Sequence, residues 1–446
     1  MEERVFERKI YQKMLSWKNE SNGKTALLIK GARRIGKSTI AIEFAKKEYE
    51  SYILIDFSMA SKEVHDLFKD IFDLNYLFLR LQLIYKVDLK NRKSVIIFDE
   101  VQKEPLARQA IKHLVKDGRY DYIETGSLLS IKKNVKNILI PSEETCIEMV
   151  PMDYEEFRWA LGDKVTIPML KSVFENKISL GDAVNRRLMR DFRLYMLVGG
   201  MPQAVNEYID TNNFSKVDKV KRSILELYQD DFRKIDATGR ASLMFSAIPS
   251  ELNKNASRYQ VSSVIPNEKQ NRVFEIIADM KDSLTINLTC HANDPSAGMS
   301  LHEDINRYKM FLGDTGLFTT LAFLDKDFTE NIIYEKLLSD KLDTDLGYLY
   351  ENMVAQMLYA TGNKLFYYTF PKENSTHNYE IDFLIAKNNK VCPIKVKSSG
   401  YKTHTSLDAF ASKFSSKIGQ KYLIYTKDLR KENDIIYLPI YMTMFL

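Results

Sequence analysis

The 446-residue sequence contains few cysteines and no long apolar run. Its three cysteines, Cys146, Cys290 and Cys392, are odd in number and far apart, which argues against a disulfide framework and a zinc site. No stretch reaches the roughly 18 to 20 apolar residues that cross a bilayer, so we expect no membrane segment. The N-terminal residues are charged and lack the apolar run of a secretory signal. These absences predict a cytoplasmic protein.

An excess of charge of one sign is also lacking, since the net charge is only +5. Its distribution is uneven: residues 345–446 carry +4, and the preceding residues carry +1. A basic C-terminal domain is compatible with a phosphate-rich partner, although an ordinary solvated surface explains the charge about as well. The apolar fraction of 45% and the length indicate a globular protein of two or three domains.

Short apolar runs alternate with helical patterns in the first 160 residues. The runs lie at 25–30, 52–57, 94–100 and 120–127. This alternation predicts an α/β fold with a parallel sheet covered by helices on both faces. From about residue 180 to 235 the pattern is helical, with a break at Gly199–Pro202. From residue 346 a helix precedes alternating strands, which indicates a second, smaller α/β domain.

A phosphate-binding loop follows the first apolar run. Residues 31–38 match the pattern G-x-x-x-x-G-K-[ST], and the motif lies between a predicted strand and a predicted helix. The glycines allow backbone N–H groups to surround phosphate, Lys37 can reach the β- and γ-phosphates, and Ser38 can ligate Mg²⁺. Arg33 and Arg34 face phosphate or solvent, and we favour solvent. The predicted ATP-binding residues are Gly31, Ala32, Arg33, Arg34, Ile35, Gly36, Lys37, Ser38 and Thr39.

Two further elements complete a hydrolytic site for ATP. An apolar strand over 95–98 ends in Asp99 and Glu100. We expect Asp99 to support the Mg²⁺ shell together with Ser38, and Glu100 to polarise the attacking water. Thr125-Gly126-Ser127 ends the next strand, where Ser127 would contact the γ-phosphate or the water, unless these residues form only a turn. The predicted catalytic residues are Glu100, Lys37 and Ser127.

The chain resembles prokaryotic AAA-superfamily ATPases that carry a C-terminal domain of uncharacterised function. The resemblance rests on these segments, in this order: GARRIGKST, IIFDEVQ, ETGSLLS, LVGGMPQAV, IPSELNK, YKMFLGDTGLF, GYLYENMVAQML, EIDFLI and PIKVKSS. It implies four parts: an AAA-type P-loop ATPase domain at 1–160, a helical region at 161–240, a winged-helix-like region at 241–340, and a restriction-endonuclease-like domain at 341–446.

The resemblance also implies a degenerate nuclease site in the last part. Nucleases of the PD-(D/E)xK type hold Mg²⁺ with a helix Glu, a strand Asp and a strand (D/E)-x-K. Glu351, Asp382 and Lys397 match this pattern, but Lys395 stands where an acid is needed. A cation there repels the metal instead of binding it, so we expect no nuclease activity by the standard mechanism. Glu380 is an alternative ligand on the neighbouring strand.

The same lysines leave two roles open for this domain. Lys395 and Lys397 lie on one strand face, and a basic groove there would hold a nucleic-acid backbone, since phosphate contacts need only charge. The alternative is a structural or protein-binding module.

These observations favour an ATP-hydrolysing AAA-type protein, a nucleotide-driven conformational switch that acts on or with DNA and uses ATP and Mg²⁺. A homo-oligomer would supply an arginine finger, which the sequence does not identify. One alternative is an ATP-coupled, Mg²⁺-dependent nuclease, and another is a non-hydrolysing nucleotide-binding regulator that acts through protein contacts.

Overall fold

The computed structural model describes residues 4–69, 71–126, 142–254, 256–296, 298–324, 331–339, 347–373 and 375–446. These residues form two compact units. The first comprises Met1–Val150 and Asp282–Leu284, and the second comprises Pro151–Lys281 and Thr285–Leu446. The main segment of the first unit thus ends at Val150, whereas the sequence analysis placed the domain boundary at residue 160.

The first unit contains a five-stranded parallel sheet. Its strands are β1 Ala26–Lys30, β2 Ser51–Asp56, β3 Ser94–Asp99, β4 Asp121–Gly126 and β5 Glu144–Glu148. The order across the sheet is β2-β3-β4-β1-β5. The predicted α/β fold is therefore confirmed, and β4 lies between the strand before the phosphate loop and the strand that ends in Asp99.

Helices cover this sheet, as a parallel arrangement requires. They are α1 Ile10–Ser21, α2 Lys37–Glu48, α3 Lys62–Leu67, α4 Leu74–Tyr85 and α5 Pro105–Asp117, with a short 3₁₀ helix at Val101–Lys103. β3 and β4 are buried along their whole length because both of their faces are covered. On one face, Phe98 and Tyr122 pack in a core with Phe78 and Leu81 of α4 and Ile111 of α5.

The second unit begins with helices. Their bounds are α6 Tyr154–Ala160, α7 Thr166–Asn176, α8 Asp182–Val198, α9 Pro202–Thr211, α10 Phe214–Ile235, α11 Arg240–Ser246, α12 Ile248–Asn253, α13 Val261–Val264, α14 Gln270–Asp282, α15 Thr315–Ala322, α16 Asn331–Ser339, α17 Gly347–Ala360 and α18 Thr405–Lys413. The predicted break between α8 and α9 is confirmed. Gly199 has φ +85° there, and a Cβ on it would lie 2.9 Å from Cα of Gly316.

An eight-stranded mixed sheet completes the second unit. Its strands are β6 Ile286–Ala292, β7 Glu303–Leu312, β8 Phe366–Pro371, β9 Asn378–Lys387, β10 Lys390–Val396, β11 Lys421–Tyr425, β12 Arg430–Glu432 and β13 Ile435–Pro439, in the order β12-β13-β11-β10-β9-β8-β6-β7. β6 pairs in parallel with β8, Cys290 opposite Phe366. The two parts predicted to meet near residue 340 therefore share one sheet, because this pairing satisfies backbone groups on both edges.

Within the described ranges, no helix is both long and apolar enough to cross a membrane. All three cysteines are free thiols, with Cys146 exposed and Cys290 and Cys392 buried.

Candidate functional site

The phosphate loop joins β1 to α2, and two glycines fix its path. A Cβ on Gly31 would lie 2.5 Å from the carbonyl oxygen of Met149, so only glycine fits this close approach. Gly36 has φ +95°, a left-handed conformation that glycine adopts without strain, and it directly precedes α2. No side chain caps the N-terminus of α2. An uncapped helix start after a tight loop is a favourable place for a phosphate group.

Lys37 lies over this loop and is 8% exposed. Its Nζ donates to the carbonyl oxygens of Gly31 at 3.1 Å and Ala32 at 2.8 Å. Burial lowers the pKa of Lys37 to about 8, and the carboxylates of Glu100 and Asp99 oppose this change. The ammonium group is thus held at the loop without a carboxylate bonded to it.

Ser38 and Asp99, the predicted Mg²⁺ ligands, are in direct contact. Ser38 Oγ donates to Asp99 Oδ1 at 2.7 Å, which joins the first turn of α2 to the end of β3. Thr125 Oγ1 donates to the same carboxylate oxygen from the end of β4. Mg²⁺ prefers oxygen ligands such as this hydroxyl and carboxylate, so the donor set fits the expected metal.

The remaining predicted site residues differ in their environment around the Ser38–Asp99 contact. Glu100 follows Asp99 with φ +54° and accepts a hydrogen bond from Gln102 Nε2. Ser127 lies outside the described residues, and Thr125 of the same Thr-Gly-Ser motif contacts Asp99. The other loop side chains differ in exposure: Arg34 is exposed, Arg33 and Thr39 are partly buried, and Ala32 and Ile35 are buried.

Arg8 supports the loop from outside any motif. Its Nη1 donates to the carbonyl oxygen of Ile35 at 2.8 Å, and its Nη2 donates to that of Val150 at 2.6 Å. The side chain is 5% exposed. Sequence reasoning missed Arg8 because nothing in its spacing from the loop distinguishes it from the other charged residues of the N-terminal segment.

In the second unit, Asp382 is already bonded to the lysine that replaces the expected acid. Lys395 Nζ lies 2.5 Å from Asp382 Oδ1, and the backbone N–H of Val396 donates to Oδ2 at 2.6 Å. β9 and β10 are antiparallel neighbours, which places the two side chains side by side. The predicted basic groove therefore lacks a free Lys395 ammonium group.

A second lysine, Lys309 on β7, lies beside the other two acids of this cleft. Its Nζ lies 2.7 Å from Glu380 Oε1 and 3.8 Å from Glu351 Oε2. Burial raises the pKa of Glu351 to about 7, the ammonium of Lys309 opposes the rise, and Asp382 adds to it. Glu380, the alternative metal ligand, is thus held in an ion pair.

Lys397 differs from these lysines. It is partly buried, and its side chain makes no hydrogen bond or ion pair with any residue that the structure describes. Over the same described residues, no group of three or more His, Cys, Asp or Glu side chains is arranged to hold a metal ion. The structure places Glu351, Asp382 and Lys395 close together and adds Lys309, which lies outside the sequence pattern.

The parallel sheet and the loop between β1 and α2 give the first unit a P-loop ATPase fold. Residues 23–158 match a family model described as an AAA domain. Residues 189–327 match a domain of unknown function, DUF8612, and residues 346–442 match another, DUF4143. No curated protein matches the chain.

Solved structures resemble the chain at low identity. A Walker-type ATPase of Pyrococcus abyssi is 16% identical over 72% of this chain and 97% of that chain, with a TM-score of 0.43. The RuvB Holliday junction branch migration motor of Thermotoga maritima is 13% identical over 59% of this chain and 83% of that one, at 0.27. Cdc6p from Pyrobaculum aerophilum is 13% identical over 77% and 97% respectively, at 0.25.

Proposed function

We propose that this protein hydrolyses ATP and uses the nucleotide cycle as a conformational switch in an action with DNA. The observation that carries the ATPase proposal is the hydrogen bond of Ser38 to Asp99, beside an uncapped helix start and a buried lysine. Two separate sequence elements, the phosphate loop and the strand that ends in Asp99, meet there, which a chance match to one short motif does not explain.

Each residue has a role that its chemistry supports. The loop N–H groups and Lys37 would bind the phosphates, and Ser38 and Asp99 would hold Mg²⁺, which supplies positive charge to the phosphates when bound. Glu100 would orient and polarise the attacking water, and Thr125 would fix the carboxylate of Asp99. Ordering of loops by the γ-phosphate, followed by release after hydrolysis, is the physical basis of such a switch.

Phosphate release from ATP with Mg²⁺ tests the hydrolysis proposal. We expect turnover by the wild type and none by Lys37→Ala or Glu100→Gln, while Lys46→Ala, an exposed lysine on α2, leaves turnover unchanged. Nucleotide binding without turnover, unaffected by Glu100→Gln, would instead favour a non-hydrolysing regulator.

We further propose that residues 341–446 form a restriction-endonuclease-like domain without nuclease activity. The ion pairs of Lys395 with Asp382 and of Lys309 with Glu380 support this, because each occupies a carboxylate that a metal would need. Plasmid nicking with Mg²⁺ or Mn²⁺ tests it: cleavage that Asp382→Ala abolishes would contradict the proposal.

A further inference from the structure

The second unit contains a large cavity that is not lined by Glu351, Asp382, Lys395 or Lys397. It lies between α8, the end of α16 and the segment 425–430, and its volume is about 1140 Å³. Sites for small molecules typically measure about 300 to 1,000 Å³, so this cavity is larger than a single metabolite requires.

Five cationic side chains line the cavity. Arg186, Arg190 and Arg193 occupy one face of α8, since they are four and three residues apart, and Lys427 and Arg430 come from the segment that faces them. Three carboxylates also line it, Asp182, Glu335 and Asp428, so the lining has an excess of positive charge.

The acids do not neutralise the exposed cations. Arg186, Arg190 and Lys427 make no ion pair with any described residue. Asp428 instead accepts hydrogen bonds from Ser179 Oγ and the Gly181 N–H group, both at 2.6 Å.

The remaining two cations have protein partners that hold them in place. Arg193 Nε donates to the hydroxyl of Tyr350 at 3.3 Å. Arg430 pairs with Glu432 at 3.3 Å, and its guanidinium lies 4.1 Å from the ring centre of Tyr437.

Hydrogen bonds of the buried Asn185 join the two walls of the cavity. Asn185 Nδ2 donates to the carbonyl oxygen of Thr426 at 3.2 Å, and Asn185 Oδ1 accepts from the Tyr441 hydroxyl at 2.9 Å. With the bonds of Asp428, these contacts fix the start of α8 against the segment after β11. The arginines therefore project from a rigid wall, which lowers the entropic cost of binding a ligand.

We propose that this cavity binds the phosphate backbone of DNA. The inference rests on the proposed action with DNA and names the site for it. Along α8, the seven steps from Arg186 to Arg193 span roughly 10 Å, at about 1.5 Å per residue. One DNA strand presents a phosphate about every 3.4 Å of helix axis, so this row of arginines matches the length of about three phosphates. Lys427 and Arg430 add charge from the opposite wall.

The inference replaces the basic groove predicted from Lys395 and Lys397. Of these two lysines, Lys395 is bonded to Asp382. Only Lys397 is then available to a phosphate group. The unpaired cations of α8 offer more charge to a polyanion, and backbone binding depends on charge rather than on base contacts.

Binding of full-length protein to a fluorescent DNA duplex, measured by anisotropy over a series of salt concentrations, tests the site. The variant is Arg186→Ala/Arg190→Ala. We expect its affinity to fall by about 10- to 100-fold at low salt, and the slope of log affinity against log salt to lose about 2. Arg187→Ala is the matched control, because Arg187 is exposed on the same helix but does not line the cavity. Unchanged thermal unfolding and unchanged ATP turnover without DNA would show that the variants fold.

Three outcomes would overturn the inference. Equal binding by the double variant and the wild type would remove this site while leaving an action with DNA intact. Loss of inorganic polyphosphate binding by the double variant, with DNA binding retained, would assign the cavity to a free polyphosphate. No DNA binding by the wild type at low salt would remove both the site and the DNA partner, whereas ATP hydrolysis is judged separately by phosphate release.

Discussion

Lys395 Nζ lies 2.5 Å from Oδ1 of Asp382, which is 1% exposed. Removing the ammonium group leaves a buried carboxylate with one backbone N–H donor, that of Val396. We expect Lys395→Met to lower the free energy of unfolding by about 3 to 5 kcal/mol, the usual cost of breaking a buried ion pair from one side. Urea unfolding measures this.

Lys397→Met is the matched control for that measurement. Lys397 directly follows β10, two residues after Lys395, and makes no side-chain ion pair among the described residues. We expect a change within about 0.5 kcal/mol, as for most substitutions away from such networks. Equal losses in both variants would show that the Lys395–Asp382 pair contributes nothing specific.

Restoring the missing acid provides a second prediction. Lys395→Glu places a carboxylate beside Asp382, near Glu351, and should create affinity for Mn²⁺. We expect Mn²⁺ to raise the melting temperature of this variant. The free energy of unfolding should increase by about 2.7 kcal/mol when the free ion is at 100 times the Kd. Lys397→Glu is the control. An equal shift in the wild type would mean that the native cleft binds metal.

The ionisation of Glu351 makes stability depend on pH. Burial raises the pKa of Glu351 to about 7 in the folded protein. At pH values between the pKa of the unfolded chain and about 7, folding is therefore accompanied by uptake of a proton at this carboxyl group. The stability of the wild type should fall as pH rises through this window, relative to that of Glu351→Gln, by up to about 3 kcal/mol. Urea unfolding at pH 5, 6, 7 and 8 measures the difference. Glu226→Gln, at an exposed position of α10, should show no such trend.

The sequence predicted the parts of the ATP site that depend on local spacing. Gly36, Lys37 and Ser38 lie together in one loop, and Asp99 ends an apolar strand, so a parallel sheet brings them to one edge. Contacts between distant segments were not predictable in this way. β6 pairs with β8 across more than 70 residues, and Lys309 meets Glu380 only because of that sheet.

The arginines of α8 show another limit of sequence reasoning. Arg186, Arg190 and Arg193 have the spacing of an ordinary solvated helix face. The facing segment at 425–430, more than 230 residues later, converts this face into one wall of a cavity.

From the lowered pKa of Lys37 we expect ATP binding to be accompanied by proton uptake. Its pKa is lowered to about 8 by burial, and negatively charged phosphates would raise it again. At pH 8 about half of the lysine is neutral, so ATP binding should take up about half a proton. Isothermal titration calorimetry in two buffers of different ionisation enthalpy measures this uptake, which should grow from pH 7 to pH 8. Lys46→Ala should behave as the wild type, and an absence of buffer dependence at pH 8 would contradict the prediction.

Arg8 provides the last prediction, because it ties the phosphate loop to Val150, the final residue of the first unit's main segment. Arg8→Ala removes both hydrogen bonds, and bonds from a charged donor typically contribute about 1.5 to 3 kcal/mol each. If about half of the free energy of one such bond stabilises the binding conformation of the loop, its loss should lower ATP affinity about tenfold. Arg8→Lys keeps one donor group and should lose less. Titration with a fluorescent ATP analogue measures the Kd, with thermal unfolding to show that each variant is folded. Lys46→Ala is again the control, and wild-type affinity in a folded Arg8→Ala variant would show that the loop keeps its shape without this support.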